Sequence, residues 1–236
     1  MSAESATLRI SELGVASQPG QAERRYGLSQ ELVAALGVES PRLEAIRGLR
    51  AHIVTQHLNR GRRALAVCSP NTGAGCTFVA ANLAVSLSQI GLKTILIDAD
   101  LKRPSIGELI RPPVQPVGLA HALTDPGARI SDCIDANVLP DLSVMYAGTP
   151  GAHPRDLLSA ERFRALMNVC LRDFDVTIVD TPAANLSPDA RRISSVVGYA
   201  LIVAGRNRTF VRDVKTLIEQ LKSDRASVIG TVLYDA

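Results

Sequence analysis

The sequence predicts a doubly wound α/β structure with a mostly parallel sheet, and three observations carry that expectation. The runs at 64–67, 94–97 and 176–179 are almost uniformly apolar or β-branched, so they read as strands buried on both faces. Between such runs lie segments with helical apolar spacing, which gives the strand–helix alternation of a layered parallel sheet. Two of the strands end in an acid, Asp98 and Asp180, at the carboxyl edge where α/β sheets bind ligands. With 236 residues, 46% hydrophobic and 21% charged, the chain is long enough for one full core and a short tail.

In chain order, residues 1–21 are rich in Ser, Ala, Gly and Gln and carry little periodic signal, so a flexible tail is expected. A short helix falls within 28–36, where Ser29 could cap it ahead of Glu31. The tail is set at 1–40 and the folded domain at 41–236, with no internal repeat and no linker after Pro41. Pro41 opens a helix running to Leu58, with Leu43, Ile46, Leu49, Ile53 and Val54 on one stripe. Glu44, Arg47 and Arg50 step three apart along another face; alone, that ridge reads as a solvated surface with weak ion pairs.

After the strand at 64–67 and a Gly-containing loop, a helix spans Thr77 to Ile90 and stops at Gly91. The strand ending at Asp98 leads into a proline-interrupted stretch to Pro140 with short helical pieces such as Leu119 to Leu123. Leu142 to Met145 is a strand, 148–154 a Gly/Pro turn, and Arg155 to Leu171 a helix with Leu157, Leu158, Phe163, Leu166 and Met167 inward. Strands at 176–180, 200–204 and 228–233 complete the pattern, with an amphipathic helix from Phe210 to Leu221.

Composition excludes several classes. A net charge of +3, 3% aromatics and no Trp argue against a nucleic-acid partner. No apolar run approaches the ~20 residues that span a bilayer, and 1–30 lacks a signal-peptide core, so a cytoplasmic protein is expected. Cys68, Cys76, Cys133 and Cys170 show no metal spacing, and the four histidines are scattered; buried free thiols are the better account.

The chemistry concentrates on three strand ends. In the loop after residue 67, Gly73, Ala74 and Gly75 allow backbone N–H groups to face a phosphate, and Thr77 opens a helix, the layout of a P-loop. The position that should be lysine is Cys76. Asp98 and Asp100, with Lys102 and Arg103 close behind, suit a Mg²⁺-phosphate site, for which Thr77, Asp98 and Asp180 are the metal candidates. Gly73 to Thr77 and Arg103 are the phosphate-binding candidates, and Asp98 and Asp100 the catalytic carboxylates. A lost charge-assisted bond to phosphate lowers binding by about 10- to 150-fold. Loss of a transition-state partner lowers rate by about 10²–10³. Nucleotide would then be held weakly and scarcely turned over, unless Lys102 or a neighbouring subunit supplies the charge. Cys76 reads either as a small buried helix-start residue or as a thiol activated by the helix dipole.

Set together, these stretches resemble the bacterial tyrosine kinases (BY-kinases) of capsule and exopolysaccharide synthesis. Glu44-Ala-Ile-Arg-Gly-Leu-Arg50 is similar to their E-x-x-R-x-x-R helix, 69–77 to their P-loop, and 95–104 to their D-x-D-x-R-x-P strand end. Gly118-Leu119 with Leu123, the segment from Ala147-Gly148 through Pro154–Leu158, Asp175 to Pro182 and Asp189-Ala190 resemble further family motifs, so the likeness covers about 41–233. The resemblance implies a P-loop fold of the MinD/ParA/BY-kinase kind, ATP or ADP with Mg²⁺ as cofactors, and an inner-membrane polysaccharide co-polymerase, the chain-length determinant, as partner. It also implies a homo-oligomer contact through Glu44, Arg47 and Arg50. Departures are Cys76, Ala74, Thr72, Gly151-Ala-His153, Tyr234 in place of a family Asn, and an end at Ala236 without a tyrosine cluster. The expectation is a degenerate kinase with an assembly or regulatory role, peripheral to the inner membrane through its partner. The alternatives are an active tyrosine autokinase or slow ATPase, and least of all a MinD/ParA-type positioning ATPase.

Overall fold

The computed structural model describes residues 26–149 and 160–235; the expected tail at 1–21 and the Pro154–Leu158 motif lie outside them. The chain begins with a two-residue strand β1 (Gly27–Leu28), α1 (Val33–Leu36), α2 (Pro41–Gln56), β2 (Ala64–Cys68) and α3 (Cys76–Ser88). It continues with β3 (Thr94–Asp98), α4 (Ile106–Leu109), β4 (Ile110–Arg111), α5 (Gly118–Thr124), β5 (Asp135–Leu139) and β6 (Leu142–Met145). Then come α6 (Ala160–Asp173), β7 (Val176–Asp180), α7 (Asp189–Val197), β8 (Tyr199–Gly205), α8 (Val211–Ser223) and β9 (Ser227–Tyr234).

The main sheet has the order β5-β6-β3-β7-β2-β8-β9, parallel except for β5 on β6. Every residue of β2, β3 and β7 is buried, as their unbroken apolar sequences require for strands covered on both faces. Alternation along the strands sorts their side chains. Leu65, Val67 and Leu96 face a cluster with α1, α2 and α3, while Ala64, Ala66, Ile95 and Ile97 face one with α5, α6 and α7. α8 covers the β8 side through Leu217 and Leu221. The doubly wound expectation is therefore what the chain adopts.

Register positions the acids. Asp98 pairs with Asp180 across β3 and β7, and Asp180 with Val67 across β7 and β2, so three strand ends share one row. The next residues after β2 are the phosphate-loop candidates, and the loop enters α3 at the row's edge.

Residues 26–40, assigned to the tail from the sequence, pack on the sheet layer. β1 pairs antiparallel with β4, Leu32 is fully buried, and Ala34 is nearly so. The tie is Asn82, wholly buried on α3: its Oδ1 accepts from the Ala34 amide at 3.0 Å and its Nδ2 donates to the Glu31 carbonyl at 3.1 Å. Gln89 Nε2 adds a bond to the Ala34 carbonyl at 2.6 Å. A polar residue inside an apolar helix gave no sign of this in one dimension. β5 and α7 were also not anticipated. β5 has a mixed pattern, with Asn137 at φ 53° and a pairing irregularity, so it lacks clean alternation.

Candidate functional site

β2 delivers the chain into the 69–75 loop, and α3 carries it away. Gly73 and Gly75 have φ of +71° and +86°, a region L residues avoid, and Gly75 is the N-cap of α3. Gly75 has a second reason to lack a side chain: a Cβ there would lie 2.3 Å from the Tyr234 ring. Tyr234, at the end of β9, lies over the loop with its ring centroid 5.0 Å from that of Phe78.

Cys76 turns inward. Its Sγ donates to the Val67 carbonyl at 3.1 Å, and burial, reinforced by Asp180, pushes the thiol well above its usual range. That shift, and the bond to Val67, favour the small helix-start reading of Cys76 over a thiol activated by the helix dipole. Cys76 is the small helix-start residue, and it presents no cation to the loop.

The carboxylates are intact and tightly organised. Thr77 Oγ1 donates to Asp180 Oδ2 at 2.7 Å and lies 2.8 Å from Ser105 Oγ. Asp98 accepts from the backbone N–H groups of Ser105 and Ile106 at 3.0 Å each and of Asp100 at 3.2 Å. Burial raises both Asp98 and Asp180 above the usual carboxylate range, and for Asp180 the neighbouring Asp98 charge adds to it. Asp180 Oδ1 is buried without a hydrogen-bond partner. An unpartnered buried carboxylate oxygen beside a threonine hydroxyl and a second acid fits Mg²⁺, which takes one or two carboxylates and completes its shell with water and phosphate. Among the described residues no three His, Cys, Asp or Glu side chains form a metal cage of their own.

These groups border a cleft of about 590 Å³ that contains all of Gly73 to Thr77, together with Asp100 and Arg103. The structure thus brings the phosphate-loop, Asp100 and Arg103 candidates to one opening, with Asp98 and Asp180 beneath it. Lys102 does not join them: its Nζ donates to Ser187 Oγ at 2.9 Å and lies 3.4 Å from Asp189 Oδ2. Arg208 does line the cleft, donating from Nη1 to the Gly73 carbonyl at 3.3 Å, and the sequence reading missed it. No local motif marks Arg208; only the packing of the β8–α8 turn against the loop reveals it.

Glu44, Arg47 and Arg50 lie away from the cleft on α2. Arg47 pairs with Glu44 and Glu39 at the surface, whereas Arg50 reaches α3 and donates to Ser86 O and Oγ at 3.1 Å each. The single ridge expected from the spacing is split between a surface role and an internal one.

A parallel sheet whose strand ends carry a glycine loop, a helix-opening threonine and two buried acids defines a P-loop nucleotide-binding protein. Residues 65–235 match the model of the CobQ/CobB/MinD/ParA nucleotide binding domain, and the chain belongs to that family. It is 27% identical to the putative tyrosine-protein kinase CapB of Staphylococcus aureus, over 80% of this chain and 82% of that one. It is 31% identical to the tyrosine-protein kinase CpsD of Streptococcus agalactiae, over the same shares, and so belongs to the bacterial tyrosine-kinase branch. Among solved structures, a chimerical protein CapA2B2 superposes with a TM-score of 0.78 at 28% identity, over 88% of this chain and 90% of that one. Other curated relatives are longer, and the chain spans only 26% to 30% of their length.

Proposed function

We propose that this chain is a BY-kinase-like subunit of a capsule or exopolysaccharide synthesis and export system, in which nucleotide is bound and phosphoryl transfer is lost or strongly impaired. Its role is then assembly or regulation, peripheral to the inner membrane through a co-polymerase partner, with α2 as a surface for self-association. Among the described residues no helix is long and apolar enough to cross a membrane. The observation that carries the reading is Cys76: the residue that should stabilise the transferring phosphate is a neutral thiol pointing at Val67. Thr77, Asp98 and Asp180 would hold Mg²⁺, and the loop amides of 73–77 the phosphates. Bound there, Mg²⁺ supplies charge neutralisation of the phosphates. The residues of this chain orient the nucleotide, and the Tyr234 ring packs closely over Gly75 of the loop.

A second reading, an active autokinase or slow ATPase, has one observation in its favour, the undisturbed Thr77–Asp180–Asp98 arrangement. Labelled ATP with Mg²⁺ separates the two, with and without the cytoplasmic segment of a co-polymerase. The proposal expects no autophosphorylation above background. Robust labelling that disappears in Asp98→Asn would overturn it.

A further inference from the structure

We infer that Arg208 supplies, from the flank of the loop, the phosphate-facing cation that Cys76 does not, and so allows the cleft to accept the polyphosphate of a nucleotide. The inference rests on the reading that the cleft binds nucleotide, and four observations support it.

The cleft needs a cation. Its lining includes three carboxylates, Glu31, Asp100 and Glu108, and two cations, Arg103 and Arg208. Two further acids, Asp98 and Asp180, are buried under the same opening. Without Arg208 a polyanion would meet one cation against three lining carboxylates, a like-charge excess that opposes its entry.

The obvious substitute is engaged elsewhere. Lys102 is held by Ser187 and Asp189 on the far side of its loop.

Arg208 is also built into place. The Gly205–Thr209 turn is closed by Gly205 N–H donating to Thr209 Oγ1 at 3.0 Å, and by the Arg208 and Thr209 amides donating to the Gly205 carbonyl at 3.1 and 3.0 Å. Asn207 takes φ 58° to complete it. At Gly205 the backbones approach closely: a Cβ there would sit 3.2 Å from the Ala74 Cα, tighter than ordinary contact. That close backbone approach presses the turn against the loop and sets the guanidinium beside Gly73.

Finally, the side chain has donors to spare. The bond to the Gly73 carbonyl uses one of five N–H groups, and a guanidinium fork suits two phosphate oxygens better than an ammonium does.

The test is calorimetric titration of the purified chain with Mg²⁺-ADP. Arg208→Ala should weaken binding by about 10- to 150-fold, the range for one charge-assisted phosphate contact. Arg208→Lys should recover part of the loss, since it keeps the charge without the fork. Arg206→Ala removes an equal charge two residues away, where it pairs with Asp235 at 2.7 Å outside the cleft lining, and should change affinity by less than about twofold. Reinstating the lysine with Cys76→Lys should shrink the effect of Arg208→Ala, a coupling that a purely structural role would not produce. Wild-type binding that Arg208→Ala leaves intact, or an equal loss in Arg206→Ala, would overturn the inference and leave nucleotide binding standing. Silence at millimolar Mg²⁺-ADP in both wild type and Cys76→Lys would overturn the underlying reading and the inference with it.

Discussion

Asp180 carries the conflict between stability and chemistry at the scale of single residues. It is buried beside Asp98, its Oδ1 has no hydrogen-bond partner, and its acidity is pushed to about 8. A carboxyl whose folded value lies above its unfolded one contributes stability that is complete below the unfolded value and is lost as pH rises through the folded value. The ionised acid is therefore a destabilising group at pH 8 in the absence of a cation. Asp180→Asn keeps an acceptor for Thr77 and removes the charge, so it should raise the melting temperature at pH 8 but not at pH 4. Each ~1 kcal/mol gained corresponds to about 2–4 °C for a chain of this size. Thermal melts at the two pH values check it, and an unchanged or lower melting point at pH 8 would contradict the assignment. The same variant should abolish any Mg²⁺-dependence of nucleotide binding. Cys76 sits beside it at this scale, a neutral side chain at the start of α3 whose thiol bonds the Val67 carbonyl.

At the scale of elements, α2 and α3 explain how one charged ridge acquires two roles. Spacing placed Glu44, Arg47 and Arg50 on one helical face, and that much was legible. Spacing could not show that α3 crosses under the end of that face and offers Ser86 to Arg50. Arg50→Ala should lower stability by about 1.5–3 kcal/mol, the range for lost bonds to a charged donor. Arg47→Ala, whose partners are surface carboxylates, should leave the melting temperature unchanged and reduce self-association alone. Thermal melts with light scattering distinguish the two, and equal destabilisation by both variants would count against the division. The phosphate loop and the Asp-ended strands were readable because each is contiguous and each ends a fully buried strand. β5, the docking of residues 26–40 and Arg208 were not, because their signals arise only when distant segments meet. Lys102 shows the converse: sequence proximity to Asp100 suggested a role at the phosphate, and packing drew it to Asp189 instead.

At the scale of the whole molecule, the cleft lies where strand order reverses, between β3 and β2 on either side of β7, so a ligand there bridges both halves of the sheet. Binding should therefore stabilise the chain as a unit. At 100 times its dissociation constant, Mg²⁺-ADP is worth about 2.7 kcal/mol, or roughly 5–10 °C in melting temperature. A thermal-shift series against nucleotide concentration reads this directly, and a flat series would place nucleotide outside the protein's repertoire.

Asn82 gives the molecule a consequence of another kind. It stands on the helix that opens at the phosphate loop, and it receives the amide of Ala34 from a segment more than forty residues earlier. That amide is sealed by a wholly buried acceptor, so its deuterium uptake reports the opening of the contact between the early segment and the loop helix. Glu31, whose carbonyl accepts from the same Asn82, also borders the cleft. Slow exchange of that one proton would thus serve as a native gauge of how firmly the cleft's wall is held.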